Sequence, residues 1–482
     1  MEITSLHDIV LNKSQNLQQQ LYRQIVAKII TGELAPSMRL PSSRRLADEL
    51  SISRNTVIKT IEQLCDEGYT TSLRGSGVYI HDKLNHQQLT RHRHKPAQVF
   101  ALPKLSNKIA QLNSLKRDDN KNLPFSPGLT AIDQFPFAIW QQLLKHHASR
   151  KLLYGYNEIK GYLPLRQSLV NYLAHSRGVK CDAEQVIITQ GVQHGINLCA
   201  QALLNPGDRV IVEEPGYISA KRVFESYQTE ISTVQLAQQS IDVDQLNQPK
   251  YRDAKLLYST PTHQYPMGGI LSADQRLALL AWAAENKTWL LEDDYDSEFN
   301  FCQKPVAAIQ GLSDTAPVIY LGSFSKTLFP SIRLGYLVVP KAVSQHFSYL
   351  KGVSCGESPL VEQAVLAEFI DEGHFTRHIR RMRKHYHEKW QHLQQQLKQL
   401  PNNCQTVAYS AGMHLVLKIS GIDEHHLCQF LLNYGYAPSA LSDYYYNSDK
   451  QTGLVLGFAN TNGEQREHIV ELINQYLKQQ QS

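Results

Sequence analysis

The sequence predicts a multidomain chain: a small, mainly helical N-terminal unit closed by a β-hairpin, then a large α/β unit with a mostly parallel central sheet. Three observations predict it. At 482 residues the chain exceeds what one ordinary hydrophobic core organises. Residues 17–80 read as three helices followed by a glycine-punctuated hairpin. From about Leu123 onward apolar strands alternate with helical stretches, and that βα rhythm belongs to parallel sheets. Between these regimes runs a polar stretch of about forty residues without clear periodicity, too long for a loop inside one domain. The predicted boundaries are 1–81 for the first unit, 82–121 for a basic interdomain linker with a short helix around Asn107–Leu115, and 122–482 for the second unit.

Composition narrows the class. Hydrophobic residues make up 42% and charged residues 19%, values of a globular protein rather than a disordered or membranous one. No stretch approaches the roughly 18 apolar residues that span a bilayer, so no membrane partner is expected. Met1–Lys13 carries acids and lacks an apolar core of signal-peptide length. The seven cysteines (Cys65, Cys181, Cys199, Cys302, Cys355, Cys404, Cys428) are scattered, odd in number and never spaced Cys-x-x-Cys. That pattern predicts reduced thiols in a cytoplasm and no structural zinc. The net charge of +5 is concentrated: nine lysines and arginines face three aspartates between His81 and Lys121, beside His81, His86, His92 and His94. A solvated linker and a basic arm lying on nucleic-acid phosphates both fit, and the two are compatible.

In the first unit, Leu17, Leu21, Ile25 and Ile29 recur every four residues, the stripe of an amphipathic helix. Pro41-Ser42 starts a second helix, with Ser42 as N-cap and Leu46, Ala47 and Leu50 facing inward. Ser53 caps a third whose inward face is Val57, Ile61 and Leu64, leaving Arg54, Asn55 and Ile58 displayed near its start. A short turn between two helices, with basic and amide side chains opening the second of them, seats a recognition helix in the major groove of DNA. A helical domain that binds protein would give the same pattern. Beyond Gly68, Tyr69–Leu73 and Val78–Ile80 read as strands joined by Arg74-Gly75-Ser76-Gly77, a wing whose glycines let backbone approach a phosphate.

In the second unit five apolar runs each end in polar chemistry, and ligands of open α/β sheets bind beyond the carboxyl ends of the strands. Val186–Thr189 leads into Gln190-Gly191-Val192-Gln193-His194-Gly195, and Val210–Val212 into Glu213-Glu214-Pro215-Gly216-Tyr217. Leu256–Tyr258 precedes Thr260-Pro261-Thr262-His263-Gln264, and Trp289–Leu291 precedes Glu292-Asp293-Asp294-Tyr295-Asp296. Val318–Leu321 runs into Gly322-Ser323-Phe324-Ser325-Lys326. Singly, each is an ordinary loop. Together they hold what pyridoxal phosphate requires: an amine to link it, a carboxylate for its ring nitrogen, a phenol and an aromatic face for its ring, and hydroxyls, an arginine and helix N-terminal amides for its phosphate.

Two sets of motifs carry a resemblance to known families. Arg39-Leu40-Pro41-Ser42-Ser43-Arg44, Ser53-Arg54-Asn55-Thr56-Val57, Glu67-Gly68-Tyr69 and Gly75-Ser76-Gly77 resemble a GntR-type winged helix-turn-helix. Ser323-Phe324-Ser325-Lys326-Thr327-Leu328-Phe329-Pro330-Ser331-Ile332-Arg333-Leu334-Gly335-Tyr336 resembles the lysine signature of fold-type I aminotransferases. Fused, they make the chain similar to MocR/GabR-type regulators, a subfamily of GntR regulators, over nearly everything but the linker. The resemblance implies a small winged helix-turn-helix plus an α/β fold-type I aminotransferase-like domain with a smaller C-terminal α+β subdomain. It implies DNA contacts from Arg44, from Arg54, Asn55 and Thr56, and from Arg74, Gly75 and Ser76 of the wing. It implies pyridoxal 5'-phosphate as cofactor, with Lys326 in the internal aldimine and Asp293, rather than Asp294, on the pyridine nitrogen. Tyr295 would bond the ring O3′ and Tyr217 would stack on the ring. Ser323, Ser325, Arg333 and the Val192 and Gln193 amides would take the phosphate. Tyr156, five residues before Gly161, matches a tyrosine that reaches the neighbouring subunit's phosphate, which implies a homodimer.

Two departures from the aminotransferase pattern bear on function. Where aminotransferases place Asn-Pro-x-Gly, this chain has Tyr265-Pro266-Met267-Gly268 preceded by His263-Gln264, and His263 is the substitute for the ring-contacting amide. In Gly453-Leu454-Val455-Leu456-Gly457-Phe458-Ala459, Val455 stands where many aminotransferases grip a substrate carboxylate with arginine. Either another arginine such as Arg222 serves, or the effector is not an ordinary α-amino acid. The implied function is a pyridoxal-phosphate-dependent transcription regulator on a double-stranded DNA operator, with at most partial transamination. It would sense a small amine, an amino acid or the cofactor itself through aldimine exchange at Lys326. The alternative is a working aminotransferase with an accessory DNA-binding domain.

Overall fold

Helix α1 (Leu17–Thr31) starts at Asn16, whose side chain accepts the Gln19 amide, and ends at Gly32 in the left-handed region. In this computed structural model, which describes residues 6–84, 104–113, 120–301, 306–313, 316–407, 409–447 and 450–480, the chain divides into two compact units, Met1–Leu102 and Pro103–Ser482. Of the segment read as a basic linker, residues 85–103 and 114–119 lie outside the described residues, as does Cys302.

In the first unit, α2 (Ser43–Leu50) and α3 (Arg54–Asp66) follow, capped by the Ser42 and Ser53 side chains. Leu21, Ile25, Ile29, Leu46, Val57 and Leu64 form its buried core. Leu50 and Ile61, expected inside, are only half-buried, and Thr60 is the residue α3 buries between Val57 and Leu64. Strands β1 (Thr70–Leu73) and β2 (Gly77–Ile80) pair antiparallel. Gly77 opens the second strand at φ 120, with the Arg39 guanidinium 2.9 Å from where a Cβ would sit, so only glycine fits there.

The second unit contains helix α4 (Lys104–Asn113), which falls within the expected linker. Its central sheet has eight strands: β3 (Val186–Thr189), β4 (Arg209–Glu214), β5 (Glu230–Ala237), β6 (Ser240–Ile241), β7 (Ala254–Ser259), β8 (Trp289–Asp294), β9 (Val318–Ser323) and β10 (Gly335–Val338). They lie in the order β3-β10-β9-β8-β7-β4-β5-β6. The β5-β4-β7-β8-β9 pairings are parallel, and the connections that make them so carry helices. Strand β10 runs the other way between β9 and β3, because the connection from β9, residues 324–334 with the Pro330–Ile332 turn, is too short for a helical crossover. Near the C-terminus, β11 (Cys404–Val407), β12 (His414–Ile419), β13 (Ser439–Ala440) and β14 (Gly453–Gly457) form an antiparallel sheet in the order β11-β12-β14-β13. The central strands are apolar on both faces, as a doubly covered sheet requires.

What positions the site is the carboxyl edge of that sheet. Strands β7, β8 and β9 end side by side at Ser259, Asp294 and Ser323, with Asp293 in register with Leu321. Helix α5 (Val192–Leu203) begins beyond β3 with Gly191 as its cap, at φ 79 and with no side chain on the first amides.

Candidate functional site

A cavity of about 150 Å³ opens at this edge. Its walls include nine of the residues singled out for the cofactor: Lys326, Asp293, Tyr295, Tyr217, Ser323, Ser325, Arg333, Val192 and Gln193. They come from beyond the carboxyl ends of four strands, β3, β4, β8 and β9, which the sheet order brings to one edge. Tyr258, Thr260 and Tyr265 complete the wall and were not anticipated.

The two consecutive aspartates of β8 have different surroundings because neighbouring side chains on a strand point to opposite faces. Asp294 accepts the Arg177 Nε at 2.7 Å and, through the same oxygen, the Tyr320 hydroxyl, on the face away from the cavity. Asp293 faces the cavity. Its Oδ2 accepts the Tyr258 hydroxyl at 2.6 Å, while its buried Oδ1 has no protein partner. Burial pushes the Asp293 carboxyl up to about 7, against the opposing hydrogen bond from Tyr258. A buried carboxylate oxygen without a donor fits the protonated pyridine nitrogen of pyridoxal phosphate.

Lys326 donates from Nζ to the Gly128 carbonyl at 2.8 Å. Burial pulls its ammonium below the ordinary lysine value, so its free-amine form, the nucleophile, is easier to reach. Gly128 sits at φ 83, and a Cβ there would lie 2.3 Å from that same nitrogen. Gly128→Ala is therefore expected to displace the amine and strain the backbone by about 1 kcal/mol. A weaker lysine–cofactor absorption band and a lower melting temperature would register it.

At the other end the uncapped start of α5 offers the Val192 and Gln193 amides, and the helix dipole favours an anion there. The Ser323 hydroxyl accepts the Ser325 amide at 3.2 Å. Arg333, held at φ 49, donates to the Gln190 carbonyl at 3.3 Å and lies beside Gly191. Amides, hydroxyls and a guanidinium make up the donor set a phosphate needs. The residues present fit the cofactor at both ends.

Two of the anticipated residues lie elsewhere. His263 does not line the cavity; its Nδ1 sits 2.9 Å from Asp296 Oδ1 and 2.9 Å from the Tyr295 hydroxyl, behind that phenol. Tyr156 is 99% exposed and is not part of the cavity wall. Its loop is bolted down on both sides: the buried Lys351 ammonium bonds the Ile159 and Gly356 carbonyls, and the Asn157 amide donates to Glu357 at 2.6 Å. Arg222 is not part of the wall either. Val455 is fully buried in an apolar cluster with Met267, Val407 and Val416.

Among the described residues, His146, His147 and Glu368 converge as a metal site would. Arg150 can only donate, and it bonds His147 Nδ1 at 2.9 Å, so the ring proton sits on Nε2, 2.6 Å from Glu368. His147 Nε2 makes that contact without hydrogen-bond geometry.

On the first unit, Arg44, Arg54, Asn55 and the Arg74-Gly75-Ser76 turn are all exposed. Thr56 is half-buried, its amide donating to the Ser53 hydroxyl at 3.1 Å. Arg54 lies 3.4 Å from the Ser43 hydroxyl, which holds it between α2 and α3. Exposed cationic and amide groups at the start of a helix suit a DNA groove and its phosphates.

Comparison with known proteins matches residues 17–80 to the bacterial regulatory proteins of the gntR family and residues 131–473 to aminotransferase class I and II. Over 468 residues the chain is 35% identical to the probable rhizopine catabolism regulatory protein MocR of Rhizobium meliloti, covering 96% of this chain and 94% of that one. It is 29% identical over 459 residues to the HTH-type pyridoxine biosynthesis transcriptional regulator PdxR of Corynebacterium glutamicum, covering 94% of each. The kynurenine aminotransferase of Pyrococcus horikoshii superposes at a TM-score of 0.70 and 24% identity, over 82% of this chain and 98% of that one, a likeness of fold alone.

Proposed function

Starting from the premise that the chain belongs to the MocR-type helix-turn-helix transcription regulators, with an aminotransferase class I and II domain, we propose that it holds pyridoxal phosphate and reports an amine to DNA. The observation that carries this reading is the pairing, in one cavity, of Lys326 with a buried Asp293 oxygen that has no partner. Bound there, the cofactor supplies an aldehyde carbon that links reversibly to a primary amine. Lys326 is the primary amine that would hold the cofactor, and an effector amine would compete with it for that place. Asp293 would keep the ring nitrogen protonated, Tyr217 and Tyr295 would hold the ring, and Ser323, Ser325, Arg333 and the α5 amides would hold the phosphate. The effector shifts the regulator between DNA-binding states only as far as its affinities for those states differ.

The boundaries follow the same reading: 1–81 for the DNA reader, 82–121 for a basic linker and 122–482 for the sensor. A homodimer is part of it. Tyr156 is displayed on a rigid loop beside the exposed Leu152 and Tyr154, as a side chain presented to a second copy would be. On this reading the protein works in the cytoplasm, beside a bacterial operator. A second reading, in which the cofactor itself is the effector, is favoured by the likeness to PdxR, named for pyridoxine biosynthesis. Steady-state amino transfer to a keto acid would instead favour the aminotransferase reading, which Val455 disfavours.

The test combines three measurements on the purified full chain: the visible spectrum with added pyridoxal phosphate, sedimentation, and selection of bound duplexes from a random DNA library. A cofactor band, a dimer mass and an enriched motif are expected. On the enriched duplex, Arg54→Ala should weaken binding by about 1–3 kcal/mol while leaving the cofactor band intact. No band, or no enrichment above non-specific binding, would refute the reading.

A further inference from the structure

We infer that the effector is a small primary amine with a neutral polar tail and no carboxylate, an inference that rests on Lys326 as the cofactor-linking residue. The argument is one of charge inside the cavity. Among the described residues, the cations on its wall are Lys326 and Arg333. The first is committed to the cofactor, and the second lies beside the anion-binding start of α5.

Four phenols, Tyr217, Tyr258, Tyr265 and Tyr295, stand on the same wall. The Tyr265 ring meets Tyr217, Tyr295 and Tyr444 edge to face at 5.8, 5.5 and 5.4 Å, and its hydroxyl lies 3.3 Å from the Tyr444 hydroxyl. Behind it stands His414, 5.2 Å away, buried and bonded to the Pro266 carbonyl at 2.8 Å. Burial takes that imidazole down to about 3, so it is neutral at physiological pH. Asp296, buried and 2.9 Å from His263, is not part of the wall and brings no positive charge to it. An effector carboxylate seated here would lose its hydration and, among the described residues of the wall, find no uncommitted cation. A hydroxyl or ether oxygen would instead accept a hydrogen bond from the Tyr265 hydroxyl, which the Tyr444 hydroxyl positions from behind the wall.

The place where an arginine could have entered is closed. Strand β14 turns Val455 into the cluster of Met267, Val407, Val416, Leu441 and Tyr445, with no exposed surface. Lys121 is the further cation whose field reaches Lys326, but it is exposed. A hydrated surface ammonium adds little to an ion pair.

Matched pairs differing by the carboxylate test this: ethanolamine against serine, tyramine against tyrosine, histamine against histidine. Each is titrated into the holoprotein while the Lys326-dependent band is followed. Each amine is expected to shift the band at a concentration at least about tenfold below its amino acid. Tyr444→Phe is expected to weaken ethanolamine about tenfold and propylamine not at all. A Lys326-dependent band that answers serine at lower concentration than ethanolamine overturns the inference and leaves the cofactor reading standing, since a cation must then arrive from elsewhere, such as the second subunit. A wild-type spectrum without a Lys326-dependent band overturns both.

Discussion

Lys326→Ala is expected to abolish the lysine-linked absorption band entirely, and with it every response of DNA binding to an amine. The reasoning is geometric and chemical together. Among the described residues, the cavity wall carries one primary amine, and burial lowers its proton affinity so that the nucleophilic form is accessible. The DNA reader is a separate unit with its own core, so the affinity of the unliganded protein for its operator should change by no more than about twofold. Titrating the operator with and without the effector, for both proteins, checks both halves. An alanine protein whose DNA binding still answers the effector normally would end the proposal that Lys326 is the sensing group.

Asp293→Asn should produce the second large effect, and its sign reverses with cofactor. In the cofactor-free protein the Asp293 carboxyl is raised to about 7 by burial, well above its value in an unfolded chain. Below pH 4 both states hold the proton, and the group is neutral with respect to folding. Between pH 4 and 7 the unfolded chain releases it while the fold retains it, so stability falls as pH rises, by about 1.4 kcal/mol for each pH unit. Asparagine removes that loss. The cofactor-free variant is expected to gain stability on the wild type as pH rises from 5 to 8, by on the order of 2–4 kcal/mol. Its cofactor affinity should fall at least tenfold, because a neutral amide cannot keep the ring nitrogen protonated. Chemical denaturation at the two pH values and a cofactor titration test these outcomes. Equal pH dependence in the two proteins would mean that the carboxyl is not held neutral in the fold.

These two residues differ in how they could be recognised. Lys326 follows a strand inside a continuous fourteen-residue signature, so its place at the sheet edge was legible from the chain alone. So were Ser42 and Ser53 as caps, because a cap is made within three residues of itself. Asp293 was preferred over Asp294 on resemblance; the structure adds the cause, with strand alternation and the Arg177 and Tyr320 contacts holding Asp294 on the other face. Gly128, Tyr258 and Tyr265 gave no comparable signal. Gly128 contributes a backbone carbonyl to a lysine 198 positions away, and a carbonyl has no residue identity to read. Tyr258 ends an apolar run as any core tyrosine does, and becomes part of the site only because β7 lies beside β8.

By itself, then, the sequence determined the fold class, the helical reader with its exposed Arg54 and Asn55, and the strand ends that converge on a linking lysine. Those features depend on periodicity and short motifs, which act over a few residues and leave their mark in order along the chain. Only the tertiary structure decided that His263 stands behind Tyr295, that Val455 is sealed in an apolar cluster, and that Tyr258 and Tyr265 join the wall. Each of those depends on which strands become neighbours and which face of each is turned inward. That choice is fixed by burying the whole apolar surface at once, and no local stretch of sequence contains it.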